Sequence, residues 1–520
     1  MEHGLKCVTG VEGGRIVELV LHFLLDVLQS CVSMANMSSD NVVSVAQLAR
    51  ENVKAGVEKL EELKALLTGT KLKEMGESSR IIHFFDSFMY RPLVGNAPMR
   101  KVAFLKPLES IPILSSKLSE IEWAACELLL VGSSLGQIRR MLNCFSERKI
   151  NVIARSLMVL NLYFDNKFLG QHDMQHLVAQ DMIQLEGAPE ALLAGIYGQA
   201  LLGRLAKPVY DMLKLFLLNR NRQQAYLDAA MIPDWAALQQ EARAVDLNYC
   251  MEQQIPTSSP PYFSEYVLYN LLELMDHYIA LGLELSLYVG HHDLATAYWY
   301  REALLSSLVN TRMAMQSQKF KARQDKLHQE TKSKGKKRGA NKAKKNHTGT
   351  QTKADLNDEF DLLLMTLKRN LCRGSSRFIA ALSQAELLLP DSFEFTTNEI
   401  RFSKRFQPFA CAATPKPLTY NDFLVGSDYT KVKQSDLLAA TADSFTTAKV
   451  NVDMMLTKYA QVDSWSITEE KMGALAKVCV GNSVYLMKLS RQVNDGGSAI
   501  DENVHFDFET NVEFCIIKLV

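Results

Sequence analysis

After Pro261 the apolar residues Val267, Leu271, Leu274, Tyr278, Leu281 and Leu285 recur in alternating steps of four and three. At 3.6 residues per turn that spacing lays one continuous apolar seam along a single helical face, which must find a partner. A partner follows at once. Beyond the turn Gly290, His291, His292, Asp293, with Asp293 as the expected N-cap, the residues Leu294, Tyr298, Trp299, Leu304, Leu305 and Leu308 line the buried side of a second helix. A short connection between two long apolar-faced helices makes them antiparallel neighbours, so 262–318 is predicted to be a helical hairpin.

Helical periodicity recurs along the chain. It runs from Arg15 to about Leu67, with Ser38, Ser39 and Asp40 capping the second of two helices. It resumes from Leu118 to about Met251, with breaks expected at Gly136, Gly187 and Pro208. Further helices are predicted over 354–389, ended by Pro390, over 436–459 and over 467–489. Prolines 92, 98, 107 and 112 with Gly95 mark an extended connection, and QQIPTSSPP at 253–261 is a clear break. FEFTTNEIRFSKRFQPF alternates enough to read as extended or strand-like, and the last residues, HFDFETNVEFCIIKLV, as a short strand or pinned tail.

The reading is a mainly α, irregular multi-helix scaffold with a long antiparallel hairpin, proline-containing extended connections and a strand-like C-terminal tail. A chain of 520 residues exceeds what one core usually serves. The stretches are N-terminal helices at 1–89, the proline-rich connection at 90–117, a helical core at 118–318, a basic loop at 319–353 and a C-terminal helical region at 354–520. No fixed period of 20 to 50 residues is visible, which argues against a regular solenoid.

Acidic and basic residues balance at 58 each, so no global field draws the chain to nucleic acid or membrane. The local exception is 319–353, where 13 Lys or Arg face only Asp325 and Glu330, a composition that cannot bury enough surface to order itself fully. Lys332, Lys334, Lys336, Lys337, Arg338, Lys342, Lys344 and Lys345 form its centre. One reading is a solvated linker or nuclear address; the other is salt-sensitive contact with phosphate, foremost ribosomal RNA.

Nine cysteines stand without a CxxC pair, which suits reduced thiols in the cytoplasm. The apolar run Ile16–Leu28 carries Glu18, His22 and Asp26 in a polar stripe that neither a signal peptide nor a membrane span would tolerate.

The sequence holds neither GxxxxGK[ST], GxGxxG nor a GxSxG elbow. The glycine and lysine cluster at 335–339 lacks the strand-turn-helix setting of a phosphate loop. The nearest acetyl-CoA pyrophosphate turn, Gln184 to Pro189, is spoiled by a proline without an amide. His277, His291 and His292 gather with Asp276 and Asp293 at the hairpin, but adjacent histidines diverge on a helix, and capping or turn polarity explains them better than metal. Glu265, Glu273 and Glu284 read as a polar flank of the seam. The hairpin aromatics Tyr278, Tyr288, Tyr298, Trp299 and Tyr300 suit core packing, with a partner groove centred on Tyr278, Tyr288, Tyr298 and Trp299 as the alternative.

Several ordered stretches resemble the large auxiliary subunit family of the N-terminal acetyltransferase C complex, NatC. They are ARSLMVLNLYFDNKFLGQHDMQHLVAQDM at 154–182, NRNRQQAYLDAAMIPDWAALQQEARAVD at 219–246, the hairpin at 266–308, EIRFSKRFQPFACAATPKPLTYNDF at 399–423 and FDFETNVEFCIIKLV at 506–520. The resemblance implies a non-catalytic helical clamp that holds a GNAT-fold catalytic subunit and a small Sm-like subunit and assists ribosome contact. It also implies acetylation of nascent chains that begin with Met and a hydrophobic residue, with acetyl-CoA on the catalytic partner and no cofactor on this chain; the histidine spacing argues against a metal and the polar stripe against membrane contact. The family's N-terminal region, with its Met- and Asp-rich motif, is expected to be missing. The alternative function is a free-standing RNA- or ribosome-associated helical adaptor.

Overall fold

The seam from Val267 to Leu285 forms the helix it predicts, and that helix packs between its two sequence neighbours in an antiparallel array. The structure, a computed structural model, describes residues 171–520 apart from 216–217, 257–260, 335–352, 389–396, 459–468, 495–502 and 520, together with isolated helical positions between 22 and 62. Apart from those positions, the expectations for 1–170 lie outside the described residues, as do the glycine and lysine cluster at 335–339 and Pro390. The chain divides into two compact units, residues 1–177 with 209–218 and residues 178–208 with 219–520. In the first, besides those isolated positions, the described residues include the opening turns of one helix and the closing turns of another, with Met174, Val209, Met212 and Leu213 buried.

Along the chain α1 spans Gln171–Glu186, α2 Glu190–Ala194, α3 Ile196–Leu215 and α4 Arg220–Tyr226. A π-turn at Leu227–Met231 leads into α5, Ile232–Glu252. The hairpin is α6, Tyr262–Glu284, and α7, Gly290–Lys334, followed by α8, Lys353–Gln384. Then come α9, Asn398–Arg405, a 3-10 turn at Gln407–Cys411, α10, Tyr420–Gly426, α11, Gln434–Lys458, and α12, Glu469–Asn494. Strands β1, Val504–Asp507, and β2, Ile516–Leu519, pair antiparallel with Val504 opposite Leu519 and Asp507 opposite Ile516, the strand-like tail that alternation predicts.

Long-range polar pairs fix the direction of each helix against the next. Asp246 near the end of α5 meets Phe263 and Ser264 at the start of α6. Glu265 of α6 meets Gln318 of α7, and Asp276 meets Arg301. Arg312 of α7 meets Asp358 of α8, while Glu302 meets Arg373. Lys458 of α11 pairs with Glu359 of α8, and Arg377 donates to the Ala440 carbonyl. Each of these neighbours is antiparallel, and α6 is buried on nearly every side rather than along one seam.

Several sequence expectations are corrected. Residues 398–411 form α9 and the 3-10 turn, not an extended segment. Thr397 Oγ1 accepts the Ile400 amide, and Phe402, Phe406 and Phe409, spaced by four and three, turn to one interior. Pro208 lies inside α3 rather than breaking it, because burial of Leu201, Leu205, Val209 and Met212 outweighs one lost backbone hydrogen bond. Asp293 lies inside the first turn of α7, where its carboxylate reaches back to the Val289 amide at 3.1 Å. Residues 319–334 continue α7 as helix instead of opening a loop. Glu265, Glu273 and Glu284 are no solvated flank: they accept from Gln318, Tyr269 and Arg220, respectively.

Gly187 (φ 71°) closes α1 where the sequence predicts a break, but three other helix ends follow a rule that the glycine pattern does not mark. Ser286 (φ 56°) and Glu386 (φ 56°) adopt the left-handed cap conformation. The amides that follow, of Leu287 and Leu387, then bond back to the carbonyls of Gly282 and Leu382 at 2.8 and 3.1 Å. These are Schellman ends built without glycine, and Gln254 (φ 53°) closes α5 in the same way.

Candidate partner-holding platform

The second hairpin helix carries its apolar line through Leu294, Tyr298, Leu305, Leu308 and Met315 in steps that also pass through Arg301 and Arg312. Both arginines are therefore drawn into the interior. Arg301, fully buried, donates from Nε to Asp276 Oδ1 at 2.7 Å and from Nη2 to Asp276 Oδ2 at 3.3 Å. Its Nη2 also reaches Glu513 Oε2 at 2.7 Å, and its guanidinium lies 5.2 Å from the Phe514 ring centroid. Burial works against the Glu513 charge, yet Lys368 and Arg301 beside it hold its carboxyl well below the usual range. This one side chain ties α6, α7 and the C-terminal hairpin together.

The tail is seated by matching groups on its other side. Asn482 of α12 donates to the Cys515 carbonyl at 3.0 Å and accepts the Ile517 amide at 2.8 Å, completing the outer edge of β2. Tyr298 donates to the Glu513 carbonyl at 3.2 Å and stacks on Phe514.

A second lock closes the hairpin tip. Asp293 accepts from Arg401 at 2.6 Å and Arg405 at 2.7 Å, one helical turn apart on α9, and Arg401 also bonds the Val289 carbonyl at 3.0 Å. Behind this pair Tyr300 stacks on Phe406 at 4.4 Å and accepts the Leu418 amide, while Trp299 meets Phe423 edge-on at 5.4 Å. Gln239 of α5 brackets Ala413 and Thr414, fixing the connection that leads to α10.

The residues singled out from the sequence fall as follows. Tyr298 and Tyr288 are buried among this chain's own groups; Tyr288 carries Arg405 over its ring. Tyr278 and Trp299 are half-buried, Tyr278 edge-on to Phe409 at 5.5 Å. Lys332 and Lys334 end α7, whereas Lys336, Lys337, Arg338, Lys342, Lys344 and Lys345 lie outside the described residues. The hairpin histidines do not converge. His277 meets Gln223 at 3.1 Å, and burial, aided by Arg220, pushes its pKa down to about 3. His292 packs on Tyr420 and Phe423. Among the described residues no group of three His, Cys, Asp or Glu could hold a metal.

The Gln184–Pro189 stretch is a packed corner: a Cβ at Gly187 (φ 71°) would meet Ala322 Cβ and Lys319 Cα of α7 at 3.1 Å. Glu186 beside it is fully buried with neither carboxyl oxygen hydrogen-bonded. Burial above all, then the neighbouring Glu265, Asp246 and Asp181, raise its pKa well above normal, against the opposing pull of Arg312. Sequence reading missed Arg301, Arg312, Glu513 and Glu186. The four-three step marks the two arginines; nothing local marks the two glutamates.

The sequence matches the family described as NAA35-like, TPR repeats, over residues 124–517. The N-alpha-acetyltransferase 35, NatC auxiliary subunit, of Gallus gallus is 25% identical over 397 residues, covering 72% of this chain and 51% of the relative. The Homo sapiens protein is 24% identical over 396 residues, with the same coverage of 72% and 51%. The Drosophila melanogaster homolog is 28% identical over 314 residues, 59% of this chain and 37% of its own. The chain thus spans about half the length of the vertebrate relatives it matches. Its fold is similar to a chain in the crystal structure of the apo NatC complex, with a TM-score of 0.67 at 14% identity, covering 100% of this chain and 72% of that one. The NatC complex bound to Arl3 peptide and CoA gives 0.67 at 13% identity with the same coverage. Helices from 5 to 45 residues long explain why no fixed period shows in a family described by repeats. The successive antiparallel helices, the locked hairpin and the match over most of its length agree: the chain belongs to the NAA35-like family of TPR-repeat proteins.

Proposed function

We propose that this chain is a non-catalytic scaffold subunit of a NatC-type N-terminal acetyltransferase, holding a GNAT-fold catalytic subunit and a small Sm-like subunit. The observation that carries this reading is the family match over residues 124–517, whose relatives are NatC auxiliary subunits. The interior supports it: Asp276, Arg301, Glu513, Asp293 and His277 are engaged in contacts that hold helices together. A platform whose helices are cross-tied by buried ion pairs keeps its shape while a partner docks and leaves. Acetyl-CoA belongs on the catalytic partner in this reading, in keeping with the filled corner at Gly187. Cys250, Cys372, Cys479 and Cys515 are buried free thiols and Cys411 an exposed one, which suits the cytoplasm, where nascent chains emerge. Among the described residues no helix is long and apolar enough to cross a membrane.

The test is co-expression with the GNAT-fold subunit from the same source. The expected result is one co-eluting complex that acetylates peptides beginning with Met and a hydrophobic residue, with no turnover by this chain alone. A chain that elutes by itself and leaves the catalytic subunit's rate unchanged overturns the reading. A second reading, an RNA- or ribosome-associated adaptor, draws on the basic residues that α7 carries through Lys334.

A further inference from the structure

Among the described residues, α12 uses one side for its own fold and leaves the other uncovered. Met472, Leu475, Cys479, Leu486 and Leu489 are buried, and Asn482 holds β2. Projected at ~100° per residue, Gly473, Ala476, Val480, Val484 and Met487 fall within about 40° of one direction on the opposite side. Val480, Val484 and Met487 are 45%, 51% and 54% exposed, and a Cβ at Gly473 would meet nothing within 4 Å. Single exposed valines are ordinary, but three large apolar side chains in register with two small residues form a seam of the kind a second helix fills. The small residues at its N-terminal end admit a close backbone.

The border of the seam is basic along one side and at its C-terminal end. Exposed Lys477 and Lys488 flank it on the same side and exposed Arg491 closes its C-terminal end. After Glu469 and Glu470, the first two residues of the helix, it has no Asp or Glu, and on the other side the exposed Lys449–Asp453 pair of α11 lies near Cys479. Lys488 also donates to the Leu519 carbonyl. An apolar seam with a basic border is complementary to a helix with apolar side chains every three to four residues and acidic flanks.

We propose that the outer face of α12 is a docking seam for an acidic amphipathic helix of a protein partner. The probe is a labelled helical peptide of about 21 residues, three heptads with Leu at the seam positions and Glu on the flanks, and its counterpart with Lys for Glu. With the full chain, fluorescence anisotropy is expected to give affinity for the acidic peptide about tenfold or more above the basic one, weakening as salt rises. Val484→Asp with Met487→Asp is expected to lower that affinity at least about tenfold, whereas Val512→Asp on the C-terminal hairpin leaves it unchanged. Lys477→Glu with Arg491→Glu, both exposed and outside the core, is expected to reverse the preference between the peptides and decides the matter if the apolar variants fail to fold. Equal binding of both peptides, no binding, or binding undiminished by either pair of substitutions overturns the proposal. So does capture by phosphatidylserine vesicles in place of the peptide, which would make the face a membrane contact.

Discussion

Arg301 and Asp276 face each other across the hairpin, joined by hydrogen bonds of 2.7 and 3.3 Å, with the guanidinium entirely withdrawn from water. The pair is costly to break because whichever partner remains is a buried charge without its counter-ion. Arg301→Ala is expected to destabilise by ~3–5 kcal/mol, read as a lower urea midpoint. Replacing all three charges by neutral groups of similar volume, as Arg301→Met with Asp276→Leu and Glu513→Gln, is expected to cost far less. A single variant as stable as the parent would show that the lock contributes little.

The carboxyls beneath the α1 corner should give the protein a stability that declines with alkali. Glu186 is raised by burial, and Glu265 is pushed up to about 7, by burial first and Asp246 further, against its hydrogen bond from Gln318. Each contribution is complete below the unfolded carboxyl value of roughly 4.3 and is lost as pH rises through the folded one, near 7 for Glu265. Glu265→Gln and Glu186→Gln are therefore expected to gain in melting temperature relative to the parent between pH 5 and 8. Parallel melting profiles for parent and variants would contradict the placement of these groups.

On the acid side His277 acts in the opposite sense. Its folded value, lowered to about 3, lies below the unfolded value of about 6.5, so its contribution is present above that pH and fades as pH falls. His277→Gln is expected to lose less stability than the parent between pH 6.5 and 4, measured by thermal scanning across that range.

Gly282 is where the hairpin tip folds onto its own helix. A Cβ there would stand 2.6 Å from Tyr288 Cε2 and 3.1 Å from its hydroxyl oxygen. Gly282→Ala is expected to cost ~1–3 kcal/mol through displacement of the ring. In a double-mutant cycle with Tyr288→Leu, the second change should recover part of that loss, and strictly additive effects would refute the contact.

The basic end of α7 and the residues beyond it allow a separate measurement. Deleting Lys332 to Lys345 is expected to lower ribosome co-sedimentation at low salt and to flatten its salt dependence, because fewer phosphate contacts release fewer counterions. The melting temperature should not change. An unaltered sedimentation profile would remove these lysines from any ribosome contact.

What the sequence settled by itself, among the described residues, was the long helices and their apolar faces. The four-three step over Val267 to Leu285, carried on through Leu294 to Met315, specifies a buried hairpin because periodicity is a local property of the backbone. It even passes through Arg301 and Arg312, and the C-terminal alternation was enough to indicate a strand-like tail, though not that it folds back to pair with itself. Tertiary structure alone decided which groups satisfy the ends and the charges. Asp246 caps α6 from the preceding helix, Glu513 completes Arg301 from 212 residues away, and Ser286 and Glu386 take left-handed caps without glycine. Residues 398–405 became helix because Thr397 caps it and Asp293 draws Arg401 and Arg405 to one side. A buried charge or a bare amide accepts whatever partner the fold brings within about 3 Å, and no spacing along the chain records that choice.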